Sequence, residues 1–347
     1  MKSLVYRGRR DIRCEEVADP IISSPGAAIV QIRACGICGS DLHPYHQDMG
    51  RSYCIGHEAV GEVVETGPEV GRFKVGDRVL VAASLCCGEC KPCRRGYGML
   101  CEQYPYPRVF GQGLPGLGGC QAEAVEVPVA DTNLHLLPTG MSDELGVMLT
   151  DTLATAWQCA KTGRVSRGGA VAVIGLGAVG LQCVLSAFAM GAEQVFGIDL
   201  IEDRRQAAAA LGAVPVDGAT AFQQIMDMTA GRGADTVLEA TGGPQTMELA
   251  LQVASKGAVI SVVGVPEAMS MPFPILAALS KNLEINFVTC SVKAQLPELF
   301  DALDAGRLKA EALNGLITHR LPLAQGPEAY ALFDSRADGV KKVILLT

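Results

Sequence analysis

The sequence lacks any run of basic residues interleaved with aromatic side chains, and its 347 residues carry a formal net charge of −8 at pH 7. A protein of this charge has no general electrostatic attraction for nucleic acid or for an anionic membrane surface. We therefore expect neither as a partner. The length allows two domains with a substantial core.

The N-terminus lacks the pattern of a secretory signal, because no apolar segment follows the basic residues in MKSLVYRGRRDIR. The chain contains 13 cysteines. Without a secretion signal, they favour a reducing compartment and metal ligation over a disulfide framework. The expected location is the cytoplasm.

Charged residues are absent from 168 to 192, a run long enough to span a bilayer. Gly175, Gly177 and Gly180 interrupt this run, and Gln182 adds a polar group. A buried parallel strand, a glycine turn and a helix therefore explain the run better than a transmembrane helix.

Three metal-ligand types fall within one short segment of the chain. Cys38, His57 and Glu58 supply a thiolate, an imidazole and a carboxylate, which suit a tetrahedral zinc ion. A catalytic zinc site would still need one ligand from elsewhere in the chain and an open coordination position.

Four further cysteines have the spacing of a second zinc site. Cys87, Cys90, Cys93 and Cys101 follow the pattern C-x2-C-x2-C-x7-C, whereas Cys86 lies one residue off it. The alternatives are free reduced thiols or a redox pair, and no thioredoxin-like βαβ pattern surrounds these cysteines. Four thiolates leave no open position, so the predicted role of this site is to fix a loop.

The first part of the chain has the alternation of apolar and polar residues that is typical of strands. Short strands separated by turn signals favour a small barrel-like domain. The predicted strands are Ala27–Arg33, Ala59–Glu65, Asp77–Ala82 and Ala122–Val127.

From Ala170 the pattern changes to alternating strands and helices. A buried strand, Ala170–Ile174, runs into a glycine motif that opens a helix, and Asp199 ends the next strand about 20 residues later. In this context the motif predicts a dinucleotide site in which the helix N-terminus faces the phosphates. The motif is Gly175-Leu176-Gly177-Ala178-Val179-Gly180.

An acidic residue lies in an apolar stretch just before this region. The pattern from Ser142 to Trp157 predicts a helix, in which Asp151 lies among Leu149 and Leu153. A carboxylate is costly to bury without a partner, so Asp151 is either exposed or a ligand.

The stretches Gly36-Ile37-Cys38-Gly39-Ser40-Asp41-Leu42-His43 and Gly56-His57-Glu58 resemble the zinc-dependent medium-chain alcohol dehydrogenases. The resemblance extends over nearly the whole chain and implies an α/β fold with two domains. A GroES-like, β-rich catalytic domain with a structural zinc lobe would cover 1–150 and 291–347. A Rossmann domain with a doubly wound parallel sheet would cover 151–290.

The resemblance also implies how the catalytic residues divide their roles. Cys38, His57 and Asp151 would hold the catalytic zinc, with Glu58 beside it as a direct or transient ligand. Ser40 and His43 of the same motif would form the proton relay to solvent. The cysteine lobe is structural in this family, so the resemblance implies two zinc ions per chain.

The resemblance places further residues at the cofactor. Thr155, Gly264 and Val265 would lie near the nicotinamide, and Asp199 would accept the ribose hydroxyls of NAD. Arg204 could reach a 2′-phosphate, but its long side chain is free to point away from it. The Asp199 carboxylate, in contrast, lies on a rigid strand end and would repel the phosphate. We therefore expect NAD rather than NADP.

The implied activity is reversible alcohol oxidation coupled to a nicotinamide cofactor, with zinc as the Lewis acid. Ala83 is small where some primary-alcohol enzymes carry an aromatic residue, which favours a secondary alcohol or a ketone. A polyol, butanediol or threonine dehydrogenase would share these motifs. A non-catalytic nucleotide-binding protein is the alternative of another class. Family members are dimers or tetramers, which implies a homo-oligomer.

Overall fold

The computed structural model describes residues 1–266 and 268–347. They form two compact units. The first unit comprises 1–154, 290–297 and 313–347, and the second comprises 155–289 and 298–312. The predicted domain ranges differ from these units chiefly at 298–312, which belongs to the second unit.

The N-terminal part of the chain is mostly strand, and the four predicted strands occur within a few residues of their expected bounds. Its strands are β1 Lys2–Gly8, β2 Asp11–Glu16, β3 Ala28–Gly36, β4 Tyr53–Cys54, β5 Glu58–Thr66, β6 Arg78–Val81, β7 Ser84–Leu85, β8 Arg108–Val109, β9 Ala124–Val127 and β10 Leu134–Leu136. Its helices are α1 Leu42–Tyr45, α2 Lys91–Arg94, α3 Ala130–Asn133, α4 Asp143–Leu149 and α5 Thr152–Thr162.

The middle of the chain alternates strands with helices. Its strands are β11 Ala170–Ile174, β12 Gln194–Asp199, β13 Val214–Asp217, β14 Ala234–Glu239, β15 Ala254–Val262 and β16 Glu284–Phe287. Its helices are α6 Ala178–Ala189, α7 Glu202–Ala210, α8 Ala221–Met228, α9 Pro244–Val253 and α10 Ile275–Lys281. The C-terminal part adds α11 Val292–Asp304, α12 Ala310–Asn314, β17 Ile317–Pro322, α13 Gly326–Ser335 and β18 Lys342–Leu346.

The main sheet of the first unit brings three separate chain segments together. Its strand order is β10-β6-β5-β3-β18-β17, with β9 also paired to β3. Gly36 at the end of β3 pairs with Glu58 at the start of β5 and with Ile344 in β18. This register sets Glu58 and the first residues of β18 beside the segment that follows β3.

The sheet of the second unit is parallel throughout, in the order β13-β12-β11-β14-β15-β16. The strand order reverses beside β11, which is where doubly wound sheets bind their ligands. The turn after β11 requires glycine at two positions. Gly175 has φ +87°, and a Cβ on Gly180 would lie 1.7 Å from the Gly175 carbonyl oxygen. The predicted doubly wound parallel sheet is confirmed.

The uncharged run from 168 to 192 forms β11, the glycine turn and α6, as predicted. Within residues 1–266 and 268–347, no helix has both the length and the apolar character needed to cross a membrane.

Candidate metal and cofactor sites

The structure brings the four predicted ligands of the catalytic metal together in the first unit. Ligand atoms of Cys38, His57, Glu58 and Asp151 all lie within 4.8 Å of one another. Cys38 follows β3, while His57 and Glu58 lie at the start of the adjacent β5. The main sheet therefore positions three of the four side chains.

Asp151 reaches this cluster because the predicted helix is interrupted. Helix α4 ends at Leu149 and α5 begins at Thr152, so the prediction of one continuous helix was wrong. The Thr150 carbonyl accepts a hydrogen bond from the Ala83 N–H at 3.2 Å, which anchors the turn outside the helical pattern. Asp151 lies in this turn.

The distances in the cluster fit a tetrahedral metal ion. The Cys38 Sγ lies 3.4 Å from Asp151 Oδ2, and His57 Nε2 lies 3.2 Å from the same oxygen. Zinc bonds of about 2.0–2.3 Å would separate the ligand atoms of a tetrahedron by about 3.3–3.8 Å. The donor set therefore suits zinc in both spacing and chemistry.

The electrostatics of the cluster favour a cation at its centre. Burial raises the pKa of the Cys38 thiol, and the Asp151 carboxylate raises it further. Burial acts to lower the pKa of His57, but Asp41 and Asp151 hold it well above its ordinary value. A divalent cation would meet the same demand for positive charge by displacing these protons.

Asp41 belongs to the site although the sequence analysis gave it no role. Its Oδ1 lies 3.1 Å from His57 Nδ1, and its Oδ2 accepts a hydrogen bond from the Cys38 N–H at 3.0 Å. A carboxylate behind a metal-binding histidine orients the ring and makes it a better ligand. The motif spacing carried this signal, since Asp41 lies three residues after Cys38.

Lys342 is the second residue that the sequence analysis missed. Its Nζ forms an ion pair with Glu58 Oε2, and neither side chain is exposed. The other carboxylate oxygen, Glu58 Oε1, is buried and has no hydrogen-bond partner among the described residues. This oxygen remains available to a metal ion.

The two predicted relay residues lie on the segment after Cys38. The Ser40 hydroxyl lies 3.2 Å from Cys38 Sγ and 3.5 Å from His57 Nε2, so it borders the metal cluster. His43 lies in α1 and is partly exposed.

The cysteine lobe has the geometry of a second, closed metal site. The sulfurs of Cys87 and Cys93 are 3.9 Å apart, and those of Cys90 and Cys101 are 4.0 Å apart. Tetrahedral zinc thiolates place sulfurs about 3.8 Å apart. Backbone N–H groups also donate to the sulfurs, including that of Glu102 to Cys90 at 3.4 Å, as suits thiolates.

The predicted phosphate-binding residues lie at the start of α6 in the second unit. Gly177 is the N-cap of this helix, and Ala178, Val179 and Gly180 form its first turn. The unpaired N–H groups of a helix N-terminus bind phosphate.

Asp199 ends β12 and is tightly held by backbone groups. Its Oδ2 accepts from the Leu176 N–H at 2.8 Å, and its Oδ1 accepts from the Ile201 N–H at 2.9 Å. Arg204 Nη1 lies 3.5 Å from Asp199 Oδ2. The Asp199 carboxylate therefore attracts the Arg204 guanidinium and holds it nearby.

The predicted nicotinamide residues lie in two places in the second unit. Thr155 is in α5, whereas Gly264 and Val265 follow β15. The Gly264 N–H donates to the Glu239 carbonyl at 3.2 Å, and Val265 is 52% exposed.

Models of known protein families match residues in both units. The family model for the alcohol dehydrogenase GroES-like domain matches residues 24–139, and that for zinc-binding dehydrogenases matches 178–305. A probable zinc-binding alcohol dehydrogenase of Mycobacterium tuberculosis is 39% identical over 339 residues, covering 97% of this chain and 86% of its own.

Two solved structures are similar over the whole chain. An alcohol dehydrogenase from Thermus sp. ATN1 has a TM-score of 0.92 and 35% identity, covering 100% of this chain and 99% of its own. An Escherichia coli alcohol dehydrogenase in complex with NADH has a TM-score of 0.88 and 26% identity, with the same coverage of each chain. With both family models matched and a relative of this identity, the chain belongs to the zinc-dependent medium-chain alcohol dehydrogenase family.

Proposed function

We propose that this chain is an NAD-linked zinc dehydrogenase that interconverts a secondary alcohol and its ketone. The observation that carries the proposal is the cluster of Cys38, His57, Glu58 and Asp151, whose ligand atoms lie within 4.8 Å of one another. Zinc in such a site supplies Lewis acidity, which lowers the pKa of an alcohol hydroxyl and polarises a carbonyl.

The proposed ligands are Cys38, His57 and Asp151. Two anionic ligands would balance the 2+ charge of zinc and keep the site near neutral before substrate binds. Glu58 is proposed as an additional or transient ligand, since its Oε1 is buried without a hydrogen-bond partner among the described residues.

The proposed proton path starts at Ser40. A hydroxyl accepts and donates at once, so Ser40 can take the alcohol proton and pass it on. His43, partly exposed on α1, would deliver the proton to solvent. The contacts of Ser40 with Cys38 and His57 support its place at the start of this path.

The proposed cofactor is NAD. The first turn of α6 would hold the pyrophosphate, and Asp199 would accept the ribose hydroxyls. Thr155, Gly264 and Val265 are proposed to lie near the nicotinamide. The related Escherichia coli enzyme, whose structure contains NADH, supports this choice.

The substrate class is inferred from Ala83. This residue is 6% exposed in the first unit, and its methyl side chain is smaller than the aromatic ring that narrows the pocket of some primary-alcohol enzymes. The two compact units support the proposed division into a catalytic domain (1–150 and 291–347) and a coenzyme domain (151–290). None of the 13 cysteines forms a disulfide bond, which supports a reducing compartment such as the cytoplasm.

A homo-oligomer, dimer or tetramer, is also proposed. Strand β16 lies at one edge of the parallel sheet, where Phe287 is 75% exposed. On helix α10, which precedes β16 in the chain, Ile275, Leu276 and Leu279 are 72%, 76% and 71% exposed. An apolar patch beside an open sheet edge is typical of a surface that another chain covers.

Turnover and metal content test the proposal together. The purified protein would be assayed for NADH formation with secondary alcohols, primary alcohols, polyols, 2,3-butanediol and threonine, and its zinc would be counted. We expect secondary alcohols to react best and two zinc ions per chain, one for each ligand group.

Three cysteine variants assign the zinc ions. Cys38→Ser should lose one zinc and the activity, whereas Cys93→Ser should lose the other zinc and lower the stability. Cys86→Ser is the matched control and should keep both zinc ions and full turnover. Fully active protein with no more than one zinc per chain would contradict the two-site proposal, and absence of turnover across the panel would favour a non-catalytic nucleotide-binding role.

A further inference from the structure

A chain of buried hydrogen bonds extends from the metal cluster to the C-terminal helix α13. The Tyr330 hydroxyl donates to Gln121 Oε1 at 2.9 Å, and Gln121 Nε2 donates to Asp41 Oδ2 at 3.3 Å. Asp41 then contacts His57 Nδ1 at 3.1 Å. Tyr330 and Gln121 have no exposed surface, and Asp41 and His57 are each 4% exposed.

The direction of every bond in this chain is fixed by chemistry. Gln121 Nε2 also faces the Gly36 carbonyl at 2.9 Å, which can only accept, so the amide nitrogen must lie on that side. Gln121 Oε1 therefore faces Tyr330, whose hydroxyl must donate. Asp41 accepts from Gln121 and from the Cys38 N–H, which leaves Oδ1 for His57.

This direction sets the tautomer of His57. Asp41, as a carboxylate, can only accept, so the ring proton must be on Nδ1. In the neutral ring that binds a metal ion, the lone pair is then on Nε2, which lies 3.2 Å from Asp151 Oδ2 inside the cluster. This series of hydrogen bonds thus holds His57 in the tautomer that a metal ion requires.

The backbone next to His57 is shaped to admit the Gln121 side chain. Gly56 has φ +94°, and a Cβ there would lie 2.3 Å from Gln121 Cγ. The Gln121 N–H donates to the Ile55 carbonyl at 3.0 Å, and the Cys120 N–H donates to the Gly56 carbonyl at 2.8 Å. Gln121 is therefore held directly against the segment that carries His57.

We propose that Gln121 and Tyr330 are positioning residues of the catalytic metal site, which fix Asp41 and through it the orientation and tautomer of His57. The inference rests on the proposed role of His57 as a zinc ligand. It assigns to α13, which is remote in sequence from every predicted ligand, a part in retaining the metal. Loss of such supporting contacts typically weakens metal binding about 10–100-fold.

The test measures zinc release from the holoprotein to a chromophoric chelator. The proposed catalytic site has an open coordination position, so its zinc should leave faster than zinc in the cysteine lobe. The two sites therefore give a fast and a slow phase of release. Tyr330→Phe should speed the fast phase about 10-fold, and Gln121→Glu, which lacks the amide donor, about 10–100-fold. The slow phase should not change, which also shows that the variants are folded.

Tyr45→Phe is the matched control. The Tyr45 ring lies 5.5 Å from the Tyr330 ring between centroids, but its hydroxyl makes no hydrogen bond with a described residue. Its release rates should equal those of the wild type. With cobalt(II) in the open site, the visible spectrum should change in Gln121→Glu and stay unchanged in Tyr45→Phe.

Two outcomes would overturn the inference. One is that the fast phase of zinc release in Tyr330→Phe and Gln121→Glu has the same rate as in Tyr45→Phe. The other is equal acceleration of the fast and slow phases, which would indicate general destabilisation. If Cys38→Ser releases the same zinc as the wild type, the proposed metal site itself fails, and this failure is distinguishable because it needs neither network variant.

Discussion

Lys342 and Glu58 form an ion pair in which neither side chain is exposed to solvent. Lys342 Nζ also donates to the Ile37 carbonyl at 3.1 Å, so the ammonium is held from two sides. Burial acts to lower the pKa of Lys342, but Glu58 and Cys38 raise it above its ordinary value, so the ammonium stays charged. The pair orients Glu58 with Oε2 towards the lysine and leaves Oε1 free of hydrogen bonds to described residues.

We predict that Lys342→Met destabilises the first unit by about 3–5 kcal/mol, because it leaves the Glu58 carboxylate buried without a partner. The double variant with Glu58→Gln should recover most of this loss, since the stranded charge is gone. Lys341→Met, a change at the adjacent lysine, is the control. The measurement is the midpoint of thermal unfolding of the zinc-loaded protein. Equal midpoints for Lys342→Met and Lys341→Met would show that the ion pair contributes nothing.

The sequence predicted those parts of the fold and site that local spacing encodes. Cys38, His57 and the four lobe cysteines lie in short motifs, and the turn at Gly175 carries its own fingerprint. The fold class followed from the change of pattern at Ala170. The break before Asp151 was not predictable, because it depends on a hydrogen bond from Ala83, far away in the chain.

Lys342 and Tyr330 could not be predicted from the sequence as residues of the site. Each is one residue in an ordinary apolar strand or helix, without a neighbouring motif. Their partners, Glu58 and Gln121, are more than 200 residues away along the chain. Only the pairing of β18 with β3 and the packing of α13 bring them to the site.

His43→Ala should slow alcohol oxidation mainly at low pH, where hydroxide is too scarce to accept the proton in its place. A positioned acid–base group contributes about 10²–10⁴-fold, and a terminal shuttle should lie at or below the lower end of that range. His46→Ala is the control, since His46 Nε2 is already engaged by Asp334 at 2.6 Å. The measurement is the pH dependence of kcat, and a profile that matches the control would remove His43 from the relay.

His135 should make the folded protein sensitive to acid. Burial lowers its pKa from 6.5 to about 4, with smaller contributions from Lys293 and Arg72. Between these values the unfolded chain binds a proton that the folded chain does not. Stability is therefore full above the ordinary pKa and falls as the pH drops towards the folded value.

From pH 7 to pH 5 this difference amounts to about 2 kcal/mol. His135→Leu removes the titrating group, so the variant should lose about that much less stability over the same interval. Denaturant unfolding of both proteins at the two pH values measures it. Parallel losses in wild type and variant would show that His135 titrates normally in the folded state.

Charge placed on the apolar patch of α10 should prevent self-association. Leu276→Glu puts a carboxylate at a position that is 76% exposed in the single chain, and its burial against a second copy would be costly. We expect sedimentation analysis to show smaller species than for the wild type. Ile21→Glu, at a position that is 75% exposed in the first unit, should leave the assembly unchanged. A wild-type protein that sediments as a monomer would refute the oligomer proposal.

The choice between NAD and NADP should depend on Asp199 and Arg204 together. Two backbone N–H groups fix the Asp199 carboxylate, and its side chain is 8% exposed. A 2′-phosphate beside it would bring like charges within a few ångströms. At an effective dielectric near 20, a pair of unit charges at 4 Å repels by about 4 kcal/mol.

Such a repulsion corresponds to a preference for NAD of about 10³-fold in kcat/KM. Arg204 does not offset it, because the guanidinium lies 3.5 Å from the same carboxylate and is engaged there rather than by the phosphate. In Asp199→Ser the repulsion disappears and Arg204 loses its partner, so the variant should accept NADP much more readily. The double variant with Arg204→Ala should lose that gain, since no cation then remains to meet the phosphate. Steady-state kinetics with both cofactors on all three proteins decide the matter, and a wild type that uses NADP as well as NAD would refute the role assigned to Asp199.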